Sequence, residues 1–177
     1  MDVEEGGEMN IDGPNAPRGP WIRLRDGGSI RLWELSLDEI STNQSLLQAR
    51  GVYERALLVA FVRTDHADWP LERLRVLLKS ANRTRLRAAG DPLPGPGPFT
   101  VYRGVSGADP EARRVRGLSW TASLERAREF AERFQLQDPG VYEAIVQEQH
   151  VLAYLNWREE EEFIVLLPTD VHLRRVE

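Results

Sequence analysis

Four carboxylates stand in a row directly before an apolar stretch of the chain, at Glu159, Glu160, Glu161 and Glu162. Like charges repel, and the apolar stretch draws the last of them toward the core, so the run is costly as a plain surface feature. Side chains two residues apart share one face of an extended chain, so Glu160 and Glu162 form one pair and the other two glutamates form the second. Paired carboxylates suit acid–base chemistry or the stabilisation of a developing cation. A solvated acidic turn is the alternative interpretation.

An arginine at the end of a short strand is the second group with chemical potential. Arg103 follows Tyr102 and precedes Gly104. A guanidinium places two parallel donors on a phosphate or a carboxylate, and a glycine lets a ligand approach the backbone. An exposed strand arginine with no ligand is the alternative.

Two hydroxyls form the third group. Ser119 and Thr121 lie two residues apart in a short predicted strand and therefore share a face, with Trp120 on the opposite face. Trp120 is either a ligand contact or a core residue. Ser123 has the residue type and position of a helix N-cap.

A strand-rich second half positions these groups, and a helical first half precedes it. The Gly-Gly pair 27–28 predicts a hairpin over 21–35, Ser36 and Glu39 form a capping box, and the Pro/Gly segment 91–98 separates the halves. Apolar periodicity predicts helices over 46–62, 70–90 and 123–134. Alternating apolar residues predict strands over 99–105, 118–121, 141–146, 150–154, 163–167 and 171–174. The apolar face of the last helix consists of Ala127, Phe130, Ala131 and Phe134.

Composition and charge restrict the class of protein. The 177 residues include 23 basic and 28 acidic side chains, for a net charge of −5. Five of the acidic residues and one arginine lie in residues 1–20, which leaves −1 on the other 157 residues. We therefore predict a disordered acidic tail over 1–20 and one α+β domain over 21–177, with a helical lobe over 21–90 and a strand-rich core over 98–177. The nearly neutral body is weak evidence against a dedicated nucleic-acid binder.

Several chemistries are excluded outright. The chain has no cysteine, which excludes disulfides, thiolate metal sites and a cysteine nucleophile. Its three histidines lack ligand spacing, so no metal is expected. No apolar run approaches the roughly 20 residues of a membrane span, and the acidic N-terminus differs from a signal peptide. We expect a cytoplasmic protein, or one delivered into a target cell by a route that needs no signal, with no membrane partner.

Taken in order, the three groups resemble a known family. An arginine after an aromatic residue, then Ser-x-Thr, then Glu-x-Glu before an apolar strand is the R-S-E pattern of the mono-ADP-ribosyltransferases, here of the bacterial or phage type. Tyr102-Arg103, Ser119-Trp120-Thr121 and Glu160-Glu161-Glu162 carry the resemblance, which covers about residues 98–170. It implies N-terminal helices followed by two small packed β-sheets that form a cleft for NAD, and no metal.

The resemblance also implies roles for individual residues. Arg103 would hold the phosphates of NAD, with Tyr102 and Gly104 beside it. Ser119 would orient the catalytic carboxylate, Thr121 would support the nicotinamide side of the site, and Trp120 would belong to the cofactor-binding residues. Glu162 would stabilise the oxocarbenium-like charge as the nicotinamide–ribose bond breaks. The middle motif departs from the family pattern, because it is Ser-Trp-Thr here rather than Ser-Thr-Ser.

The resemblance also implies which residues bind the acceptor of ADP-ribose. Glu160 would deprotonate or orient an arginine-like acceptor on a macromolecule, and Tyr154 and Trp157 would recognise the target. The pair Glu159/Glu161 is an alternative register for the two carboxylates. A protein is the expected partner and a nucleic-acid acceptor is an open alternative, while the sequence does not fix the oligomeric state. The clusters 83–87 and 113–116 are basic and are either solvated faces or contacts to NAD phosphates or a polyanion.

Two other functions compete with ADP-ribosyl transfer. In an NAD glycohydrolase, water replaces the macromolecular acceptor. In a non-catalytic interaction module, the fold is kept and NAD is not consumed.

Overall fold

The computed structural model describes residues 21–24, 27–64, 69–109, 113–156 and 160–177. The predicted tail over 1–20, the target-recognition residue Trp157 and the alternative carboxylate Glu159 lie outside the described residues. Within the described ranges, no helix combines the length and the apolar character needed to cross a membrane.

The chain begins with the predicted hairpin and capping box. Strands β1 (Trp21–Arg23) and β2 (Ser29–Arg31) pair antiparallel, and a 3₁₀ turn over Leu32–Glu34 follows where the sequence predicted more strand. Helix α1 (Leu37–Ala49) starts at Ser36, whose hydroxyl accepts the Glu39 N–H at 3.2 Å. The Glu39 carboxylate accepts the Ser36 N–H at 2.8 Å in return, which completes the capping box.

Both long predicted helices are broken into two. Helix α2 (Tyr53–Arg63) is separated from α1 by Gly51, which adopts a φ of +69°. A glycine in this conformation ends a helix, because residues with a Cβ rarely adopt it. Helices α3 (Leu71–Lys79) and α4 (Arg83–Ala88) are separated in turn by Asn82, whose side chain accepts the Arg85 N–H at 3.0 Å. The apolar period continues through both breaks since the flanking helices pack into the same core.

Helix α2 is the centre of the helical core, and Tyr53 at its start is fully buried. The Tyr53 hydroxyl donates to the Leu77 carbonyl at 2.9 Å and so joins α2 to α3. Burial raises the pKa of this hydroxyl above its ordinary value, so the folded protein retains the proton.

Removing this hydroxyl gives the first testable result. We expect Tyr53→Phe to lower the free energy of unfolding by about 1 kcal/mol, because the buried hydroxyl loses its contacts with the Leu77 carbonyl and the Ser80 hydroxyl. The melting temperature should fall by about 3 °C. Thermal and urea unfolding measure both quantities. Tyr142→Phe, at a half-buried position of a sheet strand, is the matched control, and equal stability losses in the two variants would contradict the role given to Tyr53.

The second half of the chain forms one antiparallel sheet of six strands. The strands are β3 (Phe99–Val105), β4 (Ser119–Thr121), β5 (Gly140–Val146), β6 (Val151–Leu155), β7 (Glu162–Val165) and β8 (Arg174–Arg175). Their order is β6-β7-β4-β3-β5-β8. Helices therefore precede a strand-rich half, and the predicted α+β class is confirmed.

The sheet is weakly joined at its centre. Strands β3 and β5 pair along their full length, whereas β3 and β4 share the single pair Tyr102–Thr121. The two small packed sheets that the resemblance implied are thus one sheet, made of the halves β6-β7-β4 and β3-β5-β8 joined at one point. A sheet joined at one pair leaves space between its halves, and the residues of interest lie there.

The last helix differs from the prediction in what it buries. Helix α5 (Leu124–Glu132) is capped by Ser123, whose hydroxyl accepts the Arg126 N–H at 3.2 Å, as predicted. Ala127 and Ala131 are buried, but Phe130 and Phe134 are 37% and 60% exposed. The predicted apolar face is therefore only half used in the core.

Candidate active site

A cavity of about 450 Å³ opens where the two halves of the sheet separate. Strands β3, β4 and β7 supply its floor, and the ends of α2 and α5 supply its sides. Its lining contains the polar candidates Tyr102, Arg103, Ser119, Thr121, Glu160 and Glu162, together with Arg63, Arg113, Arg114, Phe130, Arg133 and Phe134. The structure therefore brings the three sequence motifs to one place, although they are far apart along the chain.

Ser119 and Glu162 are in direct contact in this cavity. Strands β4 and β7 pair so that Thr121 faces Glu162, which places Ser119 diagonally across from the carboxylate. The Ser119 hydroxyl donates a hydrogen bond to Oε1 of Glu162. Both side chains are half-buried. The hydroxyl fixes the orientation of a carboxylate that borders the cavity, which is the geometry expected of a preorganised catalytic charge.

Two backbone carbonyls, those of Ser119 and Arg114, hold the Arg103 side chain in place. Its Nη1 donates to the Ser119 carbonyl at 2.6 Å, and its Nε donates to the Arg114 carbonyl at 3.1 Å. Burial lowers the pKa of Arg103 to about 10, with Glu162 opposing this effect and Arg114 adding to it. The guanidinium stays protonated at neutral pH. Because two of its nitrogens already bind carbonyls, Arg103 acts first as a clamp between β3, β4 and the turn at 114–117.

Gly117 packs directly against this guanidinium. A Cβ at position 117 would be 2.5 Å from both Cζ and Nη2 of Arg103, closer than non-bonded atoms can approach. The turn is closed by the Gly117 N–H, which donates to the Arg114 carbonyl at 2.7 Å. Arg114 adopts a φ of +45°, and this conformation aims its carbonyl at both donors. The placement of Arg103 thus depends on a residue outside the three motifs.

Gly117→Ala is expected to displace Arg103 without removing any polar group. Under the NAD-cleaving activity that the sequence resemblance implies, we expect the catalytic efficiency with NAD to fall about tenfold or more, since a displacement of about 1 Å at a positioning group has effects of this size. Steady-state kinetics and thermal unfolding measure it. Gly95→Ala is the matched control because a Cβ at Gly95 meets nothing within 4 Å, and unchanged efficiency in Gly117→Ala would contradict the role of Gly117.

The described carboxylates at the cavity are those of Glu160 and Glu162, while Glu159 of the alternative pair lies outside the described residues. Glu160 and Glu162 both line the cavity, whereas Glu161 between them is exposed and has a φ of +47°. Thr121 Oγ1 donates to the Glu160 carbonyl at 2.6 Å and accepts the Ser123 N–H at 3.1 Å. Thr121 therefore fixes the backbone at Glu160, and its hydroxyl is used within the protein rather than held ready for a ligand.

Two other predicted binding residues serve the core. The Trp120 side chain is 1% exposed, and its Nε1 donates to the Gly117 carbonyl at 3.0 Å. Of the two roles considered for Trp120, a ligand contact or a core residue, its ring therefore has the second. Gly104 borders the cavity, but a Cβ there would lie 1.8 Å from the Ala127 carbonyl oxygen. The absence of a side chain at Gly104 therefore admits α5 onto β3, and this is a different reason from the close ligand approach predicted. Tyr102 is half-buried and lines the cavity as expected.

Tyr154 does not have the exposure expected of a target-recognition residue. Its side chain is 6% exposed, and its ring lies 4.8 Å from the ring of Phe163. Burial raises the pKa of its hydroxyl. Tyr154 packs in the core of the six-stranded sheet and supports the strand that begins with Glu162.

The arginine content of the cavity was predicted only in part. Five arginines line it, at Arg63, Arg103, Arg113, Arg114 and Arg133, against the carboxylates of Glu160 and Glu162. Two of these arginines, Arg113 and Arg114, belong to the basic cluster at 113–116. The third arginine of that cluster, Arg116, donates to the carbonyls of Pro168 and Val171 and supports the fold. Arg63 and Arg133 stand at the ends of two helices that only the tertiary structure brings together.

The second basic cluster, at 83–87, lies away from this cavity. Arg87 donates to the Glu148 carboxylate at 3.0 Å and to the Glu148 carbonyl at 2.8 Å. Arg83 reaches the Val151 carbonyl at 3.5 Å. These contacts join α4 to the start of β6, so the cluster has a structural use.

Comparisons of the chain with protein-family models, with curated proteins and with solved structures find no match. The interpretation of the cavity therefore depends on its own residues and contacts. Across the described ranges, no three His, Asp or Glu side chains are grouped so that they could hold a metal ion.

Proposed function

We propose that the protein is an NAD-dependent mono-ADP-ribosyltransferase with an ADP-ribosyltransferase-like fold, acting on an arginine-like acceptor of a macromolecule. One observation carries the proposal: Arg103, Ser119 and Glu162, which the resemblance names as the R, S and E positions, are linked in series by hydrogen bonds at one cavity. Positions separated by 16 and 43 residues form a single network. A chance sequence pattern would not require this contact.

The charge and size of the cavity agree with NAD as the substrate. A volume of about 450 Å³ lies within the usual range for small-molecule sites. NAD carries an anionic pyrophosphate at its centre and a cationic nicotinamide ring at one end. Five arginines suit the pyrophosphate, and two carboxylates suit the cationic end.

Glu162 has the position needed to assist bond breaking. As the bond between the nicotinamide nitrogen and the ribose carbon breaks, nicotinamide leaves with the bonding electron pair and positive charge develops on the ribose. A fixed carboxylate beside that charge stabilises the transition state more than the ground state. Ser119 holds one oxygen of Glu162 and so keeps the charge in place.

Glu160 has the position needed to prepare the acceptor. A guanidinium is protonated at neutral pH and is a poor nucleophile. Glu160 would accept one of its protons as the guanidine nitrogen bonds to the ribose carbon, and the proton would then pass to solvent. The Thr121 hydroxyl holds the Glu160 carbonyl and keeps this carboxylate near Glu162.

The test is incubation of the protein with NAD labelled in its adenylate part and with whole lysate, followed by protease or nuclease treatment in parallel. The proposal expects label on macromolecules that protease removes and nuclease leaves. Glu161→Gln, at the exposed glutamate between the two proposed catalytic residues, is the matched control and should label as the wild type does. Nuclease-sensitive label would move the acceptor to nucleic acid. Nicotinamide release without any labelled macromolecule would support an NAD glycohydrolase, and no NAD consumption would support the non-catalytic alternative.

A further inference from the structure

Glu161 stands between the two carboxylates of the cavity in a backbone conformation that residues other than glycine rarely adopt. Its φ of +47° lies in the left-handed region. A residue keeps such a conformation only where its surroundings hold it there. Glu161 is exposed, so the restraint comes from contacts of its backbone rather than from packing of its side chain.

Both peptide groups of Glu161 are hydrogen-bonded. The Glu161 carbonyl accepts the Ala122 N–H at 3.2 Å, and this bond continues the pairing of β4 with β7. The Glu161 N–H donates to Oδ1 of Asn156, the residue that directly follows β6, in a long hydrogen bond of 3.4 Å. The first contact is between backbone groups, whereas the second requires a side-chain acceptor at position 156.

Asn156 is in turn anchored by the start of the segment 91–98, which joins the helical half to the strands. The Asn156 N–H donates to Oδ2 of Asp91 at 2.6 Å, and the Asp91 N–H donates to the Tyr154 carbonyl at 2.8 Å. Gly90 lies so close to this strand that a Cβ there would be 2.5 Å from the Tyr154 carbonyl oxygen. These contacts dock the segment on the end of β6 and fix the backbone from which the Asn156 side chain reaches Glu161.

The two carboxylates of the cavity depend on these contacts to different degrees. Glu162 is paired with a strand on each side, β4 and β6, and its carboxylate accepts the Ser119 hydroxyl. Glu160 precedes the first pair of β7, and its orientation depends on the contact of its carbonyl with Thr121 and on the conformation of Glu161. Loss of the acceptor at position 156 is therefore expected to move Glu160 and to leave Glu162 in place.

We propose that Asn156 is a positioning residue that aims Glu160 at the acceptor, and that Asp91 fixes Asn156 for this role. The inference rests on the proposed function, under which ADP-ribose is divided between a guanidine acceptor and water. When Glu160 is displaced, the guanidinium keeps its proton and is a poor nucleophile. The ribose carbon then bonds to the oxygen of a water molecule, nicotinamide leaves with the electron pair of the broken bond, and the proton of the water passes to solvent.

Product analysis with NAD and agmatine, a small guanidine compound, tests this role. Asn156→Ala should lower the ratio of ADP-ribosyl agmatine to free ADP-ribose about tenfold or more, since a small displacement of a reacting group has effects of this size. Nicotinamide release without agmatine should stay within about twofold of the wild type, because the charge of Glu162 is undisturbed. Asn156→Asp keeps an oxygen that accepts the Glu161 N–H and should keep the ratio within about threefold. Gln147→Ala, at an exposed amide before β6, is the matched control.

Hydrogen exchange followed by NMR measures the contact itself, and the Glu161 amide should exchange about threefold faster or more in Asn156→Ala. If the wild type forms ADP-ribosyl agmatine and folded Asn156→Ala keeps the wild-type product ratio, the positioning role is overturned and the transferase proposal stands. Equal losses of transfer and of nicotinamide release, or a ratio in Asn156→Asp as low as in Asn156→Ala, would also overturn it. A wild type that forms no ADP-ribosyl agmatine and modifies no macromolecule would overturn both proposals.

Discussion

Glu162→Gln is expected to release nicotinamide from NAD about 10²–10³-fold more slowly than the wild type, with NAD affinity changed much less. Glutamine has nearly the same shape as glutamate, and its carbonyl oxygen can accept the Ser119 hydroxyl that now binds Oε1. The substitution therefore removes the negative charge and leaves the local packing. A charge that acts mainly on the developing ribose cation affects the rate much more than the binding of the ground state.

Two measurements separate charge from structure in this variant. Nicotinamide release followed by chromatography gives the rate, and calorimetric titration with NAD gives the affinity. Glu161→Gln removes the same charge one residue away, at an exposed position, and should retain the wild-type rate. A Glu162→Gln protein that binds NAD normally and releases nicotinamide at the wild-type rate would contradict a catalytic role for Glu162.

Glu160→Gln is expected to separate transfer from hydrolysis. With a small guanidine compound as acceptor, transfer should fall about 10²-fold, because a general base contributes about this much or more. Release of nicotinamide to water should stay within about threefold of the wild type, since the carboxylate that assists bond breaking is intact. The Thr121 contact is to the backbone carbonyl of residue 160 and survives the substitution.

The ratio of the transfer rate to the hydrolysis rate shows whether Glu160→Gln separates the two reactions. Product analysis gives ADP-ribosyl guanidine and free ADP-ribose from the same reaction. A selective fall in ADP-ribosyl guanidine would support the role of Glu160 in activating the acceptor. Equal falls in both products would contradict a separate role for Glu160 and would place it with Glu162 in bond breaking.

The candidate site was predictable to the extent that it depends on residue order. Arg103, Ser119 and Glu162 follow one another at strand ends in the sequence, and antiparallel pairing of those strands brings them together. The two caps at Ser36 and Ser123 were predictable for a similar reason, since a capping hydroxyl acts within its own helix turn. Local signals of this kind need no knowledge of the tertiary structure.

What depends on packing between distant elements was missed. The sequence does not show that α5 rests on Gly104 or that the guanidinium of Arg103 rests on Gly117. It grouped Phe130 and Phe134 with the buried alanines Ala127 and Ala131 on one apolar face, because periodicity marks such a face and not what covers it. The family resemblance also assigned Thr121 a role toward the nicotinamide side, whereas its hydroxyl binds the Glu160 carbonyl.

The helix breaks show the same limit in the first half of the chain. Periodicity runs through Gly51 and Asn82 because the helices on both sides pack into one core. A glycine at position 51 and an asparagine at position 82 are stronger local signals in the sequence than the apolar period. Gly51 adopts a φ of +69°, Asn82 caps α4, and these two residues decide where the helices end. Giving local signals priority over periodicity would have placed both breaks correctly.

The most direct test of the proposed NAD-cleaving function is the product balance of the wild-type protein with NAD, followed by mass spectrometry. We expect nicotinamide and ADP-ribose, free or attached to an acceptor, to appear in equal amounts, and both to be lost in Glu162→Gln. An NAD pool that stays intact with every acceptor supplied, or cleavage that Glu162→Gln leaves unchanged, would contradict the assignment of Arg103, Ser119 and Glu162 to this chemistry.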